Sequence, residues 1–156
     1  MALSPLVHRL LFLCSGNYYR SRFAEILFNV WAEQEDVEWR ADSRGLGGPE
    51  EMATLANIAP QAVRGLESRG ISVAPNIRGP RPLREDDLAA SNLIIAMNEH
   101  EHRPLLAARF PAWENKVEYW MIADLTEATP EETLGEIEAG IRGLFIRFRR
   151  QGRESR

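Results

Sequence analysis

Cys14 and Arg20 bracket five residues in the run Cys14-Ser15-Gly16-Asn17-Tyr18-Tyr19-Arg20-Ser21. That pairing suits one chemical task, which is to hold a phosphate dianion while a thiolate attacks it. Backbone N–H groups of Ser15, Gly16, Asn17, Tyr18 and Tyr19 can curl around the oxygens as a nest. A helix opening just beyond the loop adds the partial positive charge of its N-terminus. The Arg20 guanidinium closes the ring with two parallel hydrogen bonds. The same positive field favours the thiolate form of Cys14. Gly16 and Asn17 tolerate the left-handed backbone such a loop needs, and Ser21 can donate a hydrogen bond to the sulfur. The spacing alone is weak, because arginine fills 18 of 156 positions. A cysteine then meets one six residues later about one time in nine by chance. The competing reading is an inert cysteine buried at a strand end.

What separates the two readings is the pair of elements that must position the loop. Leu10-Leu11-Phe12-Leu13 is a continuous apolar run of the kind found in a strand buried on both faces of a parallel sheet. From Ser21, the residues Phe23, Ile26, Leu27, Val30 and Trp31 recur at helical spacing and predict an amphipathic helix ending near Gln34. Val37, Trp39 and Ala41 alternate with charged neighbours as a second strand, and a glycine cluster over 45–48 then reads as loop. Pro60 and Gly70 bracket a short helix. Residues 75–82 read as irregular loop, Leu93 to Met97 as the third strand, and 99–109 as a helix interrupted by Pro104. Val117, Tyr119 and Met121 lie in a fourth strand. Thr129-Pro130-Glu131-Glu132 is a capping box that starts a last helix ending near Arg150. The alternation predicts a single α/β domain over 1–156, a four-stranded parallel sheet flanked by helices, with 151–156 as a flexible basic tail. In such sheets ligands bind beyond the carboxyl ends of the strands, which directs attention to 14–20, 43–48, 98–100 and 122–127.

Composition narrows the function classes. The chain is 44% hydrophobic and 27% charged, which is globular composition. A single cysteine excludes an intramolecular disulfide, a zinc site built on two or more cysteines, and a redox relay between cysteines of one chain. The net charge of −4 argues against a general affinity for nucleic acid. No apolar run approaches the length of a membrane span, and the N-terminus lacks the pattern of a signal peptide, so a soluble cytoplasmic protein with a reduced thiol is expected.

The segment Leu11 to Glu25, L-F-L-C-S-G-N-Y-Y-R-S-R-F-A-E, resembles the N-terminal signature of the low-molecular-weight protein tyrosine phosphatases, V-L-F-V-C-x-G-N-I-C-R-S-P-M-A-E. The resemblance continues more loosely along the chain. Ser43 with Gly45 falls at the family's S-A-G, Gly70-Ile71 at its G-I, and Leu93 to Met97 at its L-I-x-x-M. It implies hydrolysis of phosphotyrosine, in a protein or as a small aryl phosphate, through a phosphocysteine formed on Cys14, with Arg20 as phosphate clamp and no metal or cofactor. It also implies a general acid in a D-P-aromatic motif on a late loop. No D-P occurs here, and the matching position is Asp124, between the fourth strand and the capped helix. An acid there would protonate the leaving phenolate and then, as carboxylate, activate water. A solvated loop aspartate is the competing reading. Asp42, within a strand, and Asp86 and Asp87, in a solvated helical segment, are poorer candidates.

Three departures from the family pattern stand out. Tyr19 replaces its second loop cysteine. Arg22 replaces proline in the first helical turn and is expected to add positive potential beside the phosphate. Leu125 replaces the proline after the acid and no aromatic follows at once, so Tyr18 is the candidate wall for a substrate ring. His100-Glu101-His102 is not a metal motif and reads as solvated helix, because two histidines two apart point to different sides. Tyr119-Trp120 reads as core strand. The C-terminal arginines complement a helix dipole, with an anionic-partner site as the alternative. Two rival functions remain open. One is a phosphotyrosine- or oxyanion-binding module with little catalysis, and the other is an arsenate reductase using external thiols.

Overall fold

A computed structural model of the chain describes residues 7–154. Strand β1 (His8–Cys14) leads into helix α1 (Arg20–Gln34), then β2 (Trp39–Gly45), α2 (Pro49–Ala53), α3 (Pro60–Glu67) and α4 (Glu85–Ala89). Strand β3 (Leu93–Ala96), α5 (Glu99–Arg109), a 3-10 turn (Pro111–Trp113), β4 (Glu118–Tyr119) and α6 (Pro130–Glu154) complete the fold. The strands lie in the order β2-β1-β3-β4 and every pairing is parallel.

Burial explains the unbroken apolar run of β1. Leu10, Phe12 and Cys14 face a core built with α1, α3 and α6, whereas Leu11 and Leu13 face a second core with Leu88, Ile94 and Leu106. Successive side chains of a strand point to opposite faces, so a strand covered on both sides needs apolar residues at each position. Aromatic stacking ties α6 to the first layer: Phe28 on Phe145 at 5.1 Å and Trp39 on Phe148 at 4.0 Å between ring centroids. Trp120 packs so closely on α6 that a Cβ at Gly140 would stand 2.7 Å from its ring. Strand β2 is an edge, which is why it carries Arg40, Asp42 and Arg44 without burying them unpaired.

Several element boundaries differ from the sequence expectation. The glycine cluster is not all loop, since Gly48 caps a short helix with Pro49 at its first position. Strand β4 is reduced to two residues, and Met121 instead bridges antiparallel to Asn98. Helix α6 continues to Glu154, so 151–154 are helical, not a flexible tail, and the remaining two residues lie outside the described residues. The Thr129 capping box forms as expected: the Thr129 hydroxyl accepts from Glu132 N at 3.2 Å and the Glu132 carboxylate accepts from Thr129 N at 3.3 Å. Pro104 lies within α5 and is exposed.

The strand order positions the site. After β1 the chain moves to one side for β2 and then crosses to the other for β3. A crevice therefore opens at the carboxyl ends of β1 and β3, where the topology switches. The loop 15–19 and the start of α5 meet in that crevice.

Candidate active site

Cys14 ends β1 with its sulfur 2.9 Å from the Ser21 hydroxyl. Asn17 decides the direction of that hydrogen bond. Its Nδ2 donates to Ser21 Oγ at 2.9 Å and to Ser43 Oγ at 2.8 Å, so the Ser21 O–H is left to point at sulfur. Asn17 Oδ1 accepts from Arg78 Nη1 at 3.1 Å and from the backbone N–H of Arg81 at 3.0 Å, which satisfies every polar valence of this buried amide. Within the loop, Asn17 takes the left-handed backbone, with φ 49. Gly16 does not, contrary to the sequence expectation. The tight glycine is Gly45, where a Cβ would lie 2.9 Å from Ser15 O and 3.1 Å from Asn17 N. The neighbouring strand end is pressed that closely on the loop, with Leu46 N and Gly47 N donating to the carbonyls of Cys14 and Ser15 at 2.9 and 2.8 Å. Tyr18 is half-buried, and its carbonyl accepts from Ala59 N at 3.0 Å. Tyr19 is buried at the helix N-cap position, its hydroxyl beside Thr133 without closing a good hydrogen bond. Burial pushes its phenol above the ordinary value.

Arg20 opens α1 almost wholly buried, and the structure shows how its guanidinium is held. Nη1 donates to Ile122 O at 2.9 Å and to Glu101 Oε1 at 3.3 Å, and Nη2 donates to Glu101 Oε2 at 2.7 Å. The N–H groups that these bonds leave over are Nε–H and one on Nη2, which lie on a single edge with the geometry of a two-pronged donor. Asp124 Oδ2 stands 3.6 Å from the same Nη2. Asp124 is half exposed, and its Oδ1 accepts from Leu125 N at 2.9 Å. Thr133 of α6 holds the preceding residue, donating to Ala123 O at 3.0 Å. The loop residues Ser15, Gly16, Asn17, Tyr18, Tyr19 and Ser21 are thus brought together with Cys14, Arg20 and Asp124. Asp42 and Asp87 are instead engaged by Arg44 at 2.9 and 3.2 Å.

Glu101 and His102 are the residues that sequence reasoning missed. The sequence reads 100–102 as solvated helix, and only His100 is exposed. His102 is fully buried. Asn98 N–H donates to His102 Nδ1 at 3.0 Å, so the ring proton sits on Nε2, which donates to Ser15 Oγ at 3.1 Å. Burial, reinforced by the nearby Arg20 charge, lowers the His102 pKa to about 4, and the ring is neutral at neutral pH. Burial acts to raise the Glu101 carboxyl, but hydrogen bonding and attraction to Arg20 outweigh it and hold the pKa below the ordinary value. The available signal was the position of 98–102 just after a strand, outweighed by the exposed look of a charged triplet.

Arg78 was also missed, because 75–82 carries no periodicity. It reaches Glu25 at 3.0 Å, Asp42 at 3.1 Å and Ser43 O at 3.0 Å while holding Asn17. Arg22 lies behind the loop, near enough to Cys14 for the two to interact electrostatically. It is fully buried, donates from Nη1 to Asn57 O at 2.8 Å, and lies 3.8 Å from Glu25. Burial, with repulsion from Arg78, lowers its pKa. Its Nε and Nη2 have no hydrogen-bond partner among the described residues. Among those residues no group of three His, Cys, Asp or Glu could hold a metal ion, and no helix is long and apolar enough to cross a membrane.

A thiol ends a strand of this parallel α/β sheet, and a guanidinium opens the helix that follows the loop beyond it, an arrangement with room for an oxyanion between them. Residues 9–153 match the model of the low molecular weight phosphotyrosine protein phosphatases, and the chain belongs to that family. It is 32% identical over 109 residues to a protein-arginine-phosphatase of Bacillus subtilis (strain 168), covering 69% of this chain and 67% of the relative. The low molecular weight protein tyrosine phosphatase of T. tengcongensis superposes with a TM-score of 0.76 at 26% identity, over 90% of this chain and 99% of that one. A mutant of YwlE from Bacillus subtilis gives 0.75 at 25% identity, over 91% and 99%.

Proposed function

We propose that this phosphatase hydrolyses phosphotyrosine, in a protein or as a small aryl phosphate, through a phosphocysteine intermediate. The observation that carries the reading is the convergence of three groups: the Cys14 sulfur with its Ser21 donor, the loop-facing edge of Arg20, and the Asp124 carboxyl. With phosphate seated in the loop, the Cys14 thiolate attacks phosphorus opposite the leaving oxygen. The S–P bond forms as the P–O bond breaks, and protonated Asp124 gives its proton to the departing phenolate. Asp124, now a carboxylate, takes a proton from water as that water attacks phosphorus. The P–S bond breaks, Ser21 O–H steadies the restored thiolate, and inorganic phosphate leaves. Throughout, loop N–H groups and Arg20 face the equatorial oxygens, where charge is held.

Asp124→Asn tests the acid. The expected loss in kcat is roughly 10²–10⁴-fold for substrates with poor leaving groups. It should shrink for activated phenols, whose oxygen needs little protonation. Equal losses on both kinds of substrate, or none on either, would move the acid elsewhere.

A second reading concerns the leaving group. Two carboxylates, Glu101 and Asp124, approach one guanidinium, and Leu125, not an aromatic ring, is the exposed residue beyond the acid. An acidic rim attracts a cationic leaving group such as the guanidinium of phosphoarginine, and the Bacillus subtilis relative is a protein-arginine-phosphatase. Comparing kcat/KM on phosphotyrosine, phosphoarginine and phosphoserine peptides, with arsenate reduction measured alongside, separates the readings. Preference for phosphotyrosine supports the first and preference for phosphoarginine replaces it with the second. Oxyanion binding without turnover would leave a binding module.

A further inference from the structure

The geometry points to Glu101 and His102 as positioning residues that set the two ends of the phosphate loop, Arg20 and Ser15, from the start of helix α5. This inference rests on the phosphatase reading for its kinetic consequences, but its structural content does not depend on turnover.

An arginine side chain is ordinarily free to move. Four rotatable bonds let a guanidinium swing away from a ligand, and catalysis needs it held in one orientation. Glu101 takes both Nη atoms in a bidentate contact, and Ile122 O takes the remaining Nη1 proton. Rotation about the guanidinium is blocked from the side away from phosphate, and Nε–H with one Nη2–H is presented to the loop. Glu101 is in turn fixed by its own helix, since its backbone N–H donates to Asn98 Oδ1 at 3.2 Å.

His102 does the same for the other end. Its acceptor nitrogen is held by Asn98 N–H, so its donor nitrogen is aimed at Ser15 Oγ. The Glu101 carboxylate also lies 3.5 Å from His102 Nε2. Two polar links therefore leave Asn98, one through His102 to Ser15 and one through Glu101 to Arg20. The charged groups facing the ring are Arg20, Glu101 and Asp124. Neutrality keeps the ring a donor at one nitrogen and an acceptor at the other, which the link to Ser15 requires.

The electrostatic sign gives the test its power. Glu101 is an anion beside an anion site, so its presence works against phosphate affinity. A residue kept there for orientation should therefore split binding from catalysis. In Glu101→Gln, kcat should fall by roughly 10²-fold, the usual cost of a misplaced catalytic group. The inhibition constant of inorganic phosphate should change far less than kcat, because the lost orientation of Arg20 and the lost negative charge act on it in opposite directions. A merely structural role would lower kcat, phosphate affinity and melting temperature together, and that result would overturn the inference, as would an unchanged kcat. His102→Gln keeps an N–H for Ser15 and should retain more activity than His102→Ala. Equal activity in the two would overturn the part concerning His102.

A readout independent of turnover completes the experiment. NMR of the arginine side chains should show separate, slowly exchanging Nη signals for Arg20 in the wild-type chain, merging in Glu101→Gln. Merged signals already in the wild type would sink the inference. Failure of the wild type to act on any phosphorylated substrate, with the split signals present, would instead overturn the phosphatase reading and leave the positioning links standing.

Discussion

Cys14→Ser is expected to abolish turnover, by at least ~10⁴-fold, while inorganic phosphate still binds. The serine hydroxyl stays protonated at neutral pH and has no base among the described residues within hydrogen-bond reach to activate it. Its neighbour is the Ser21 hydroxyl, whose own lone pair already receives Asn17 Nδ2. The loop should keep its shape, because its anchors lie elsewhere. Asn17 is held by Ser43, Arg78 and Arg81, and the carbonyls of residues 14 and 15 are held by Leu46 and Gly47. Calorimetric titration with phosphate and a steady-state assay on an aryl phosphate together make the measurement. Retained turnover would remove Cys14 from the chemistry, and loss of phosphate binding would show that the thiol also builds the loop.

Arg20→Lys is expected to cost roughly 10²–10³-fold in kcat/KM, the scale for losing a preorganised donor to the reacting oxyanion. An ammonium is a point charge with no planar fork, so it cannot bond Glu101 on one side and two phosphate oxygens on the other. Stability should fall as well. Ile122 O would keep only its 3.2 Å bond from Asn98 Nδ2, and Glu101 would lose a bidentate partner. A buried acceptor left under-satisfied costs about 1–3 kcal/mol, less here because Glu101 reaches solvent. A melting curve and kcat/KM on the same preparation read both effects. Activity within a few-fold of wild type would mean that charge alone suffices and that the fork has no role.

Both variants touch the part of the site that is legible in the amino-acid sequence. The thiol, the loop and the arginine lie within eight consecutive residues of a strand–loop–helix unit, and each feature follows from local chemistry: an apolar strand, residues suited to a tight loop, a helix N-terminus. The sulfur–hydroxyl contact between Cys14 and Ser21 is of the same local kind. The capped start of α6 and the buried β1 are equally readable, because capping and burial leave their marks in neighbouring residues.

The long-range part is not legible there. Glu101 reaches Arg20 across 81 residues of sequence, His102 reaches Ser15 across 87, and Arg78 reaches Asn17 across 61. Periodicity reports that a segment is helical and which face is apolar, but His100-Glu101-His102 is polar throughout and gives no sign of facing a protein interior. What turns it inward is the strand order. β3 crosses to the far side of β1 from β2, and the first turn of α5 is thereby laid against the mouth of the loop. Residue types and spacing determined that the chain holds a thiol and a guanidinium at the two ends of a tight loop between a strand and a helix. Only tertiary structure decided which carboxylate orients that guanidinium, which imidazole meets the loop serine, and where Asp124 stands relative to both. Those contacts depend on the lateral order of strands, which local sequence patterns do not encode.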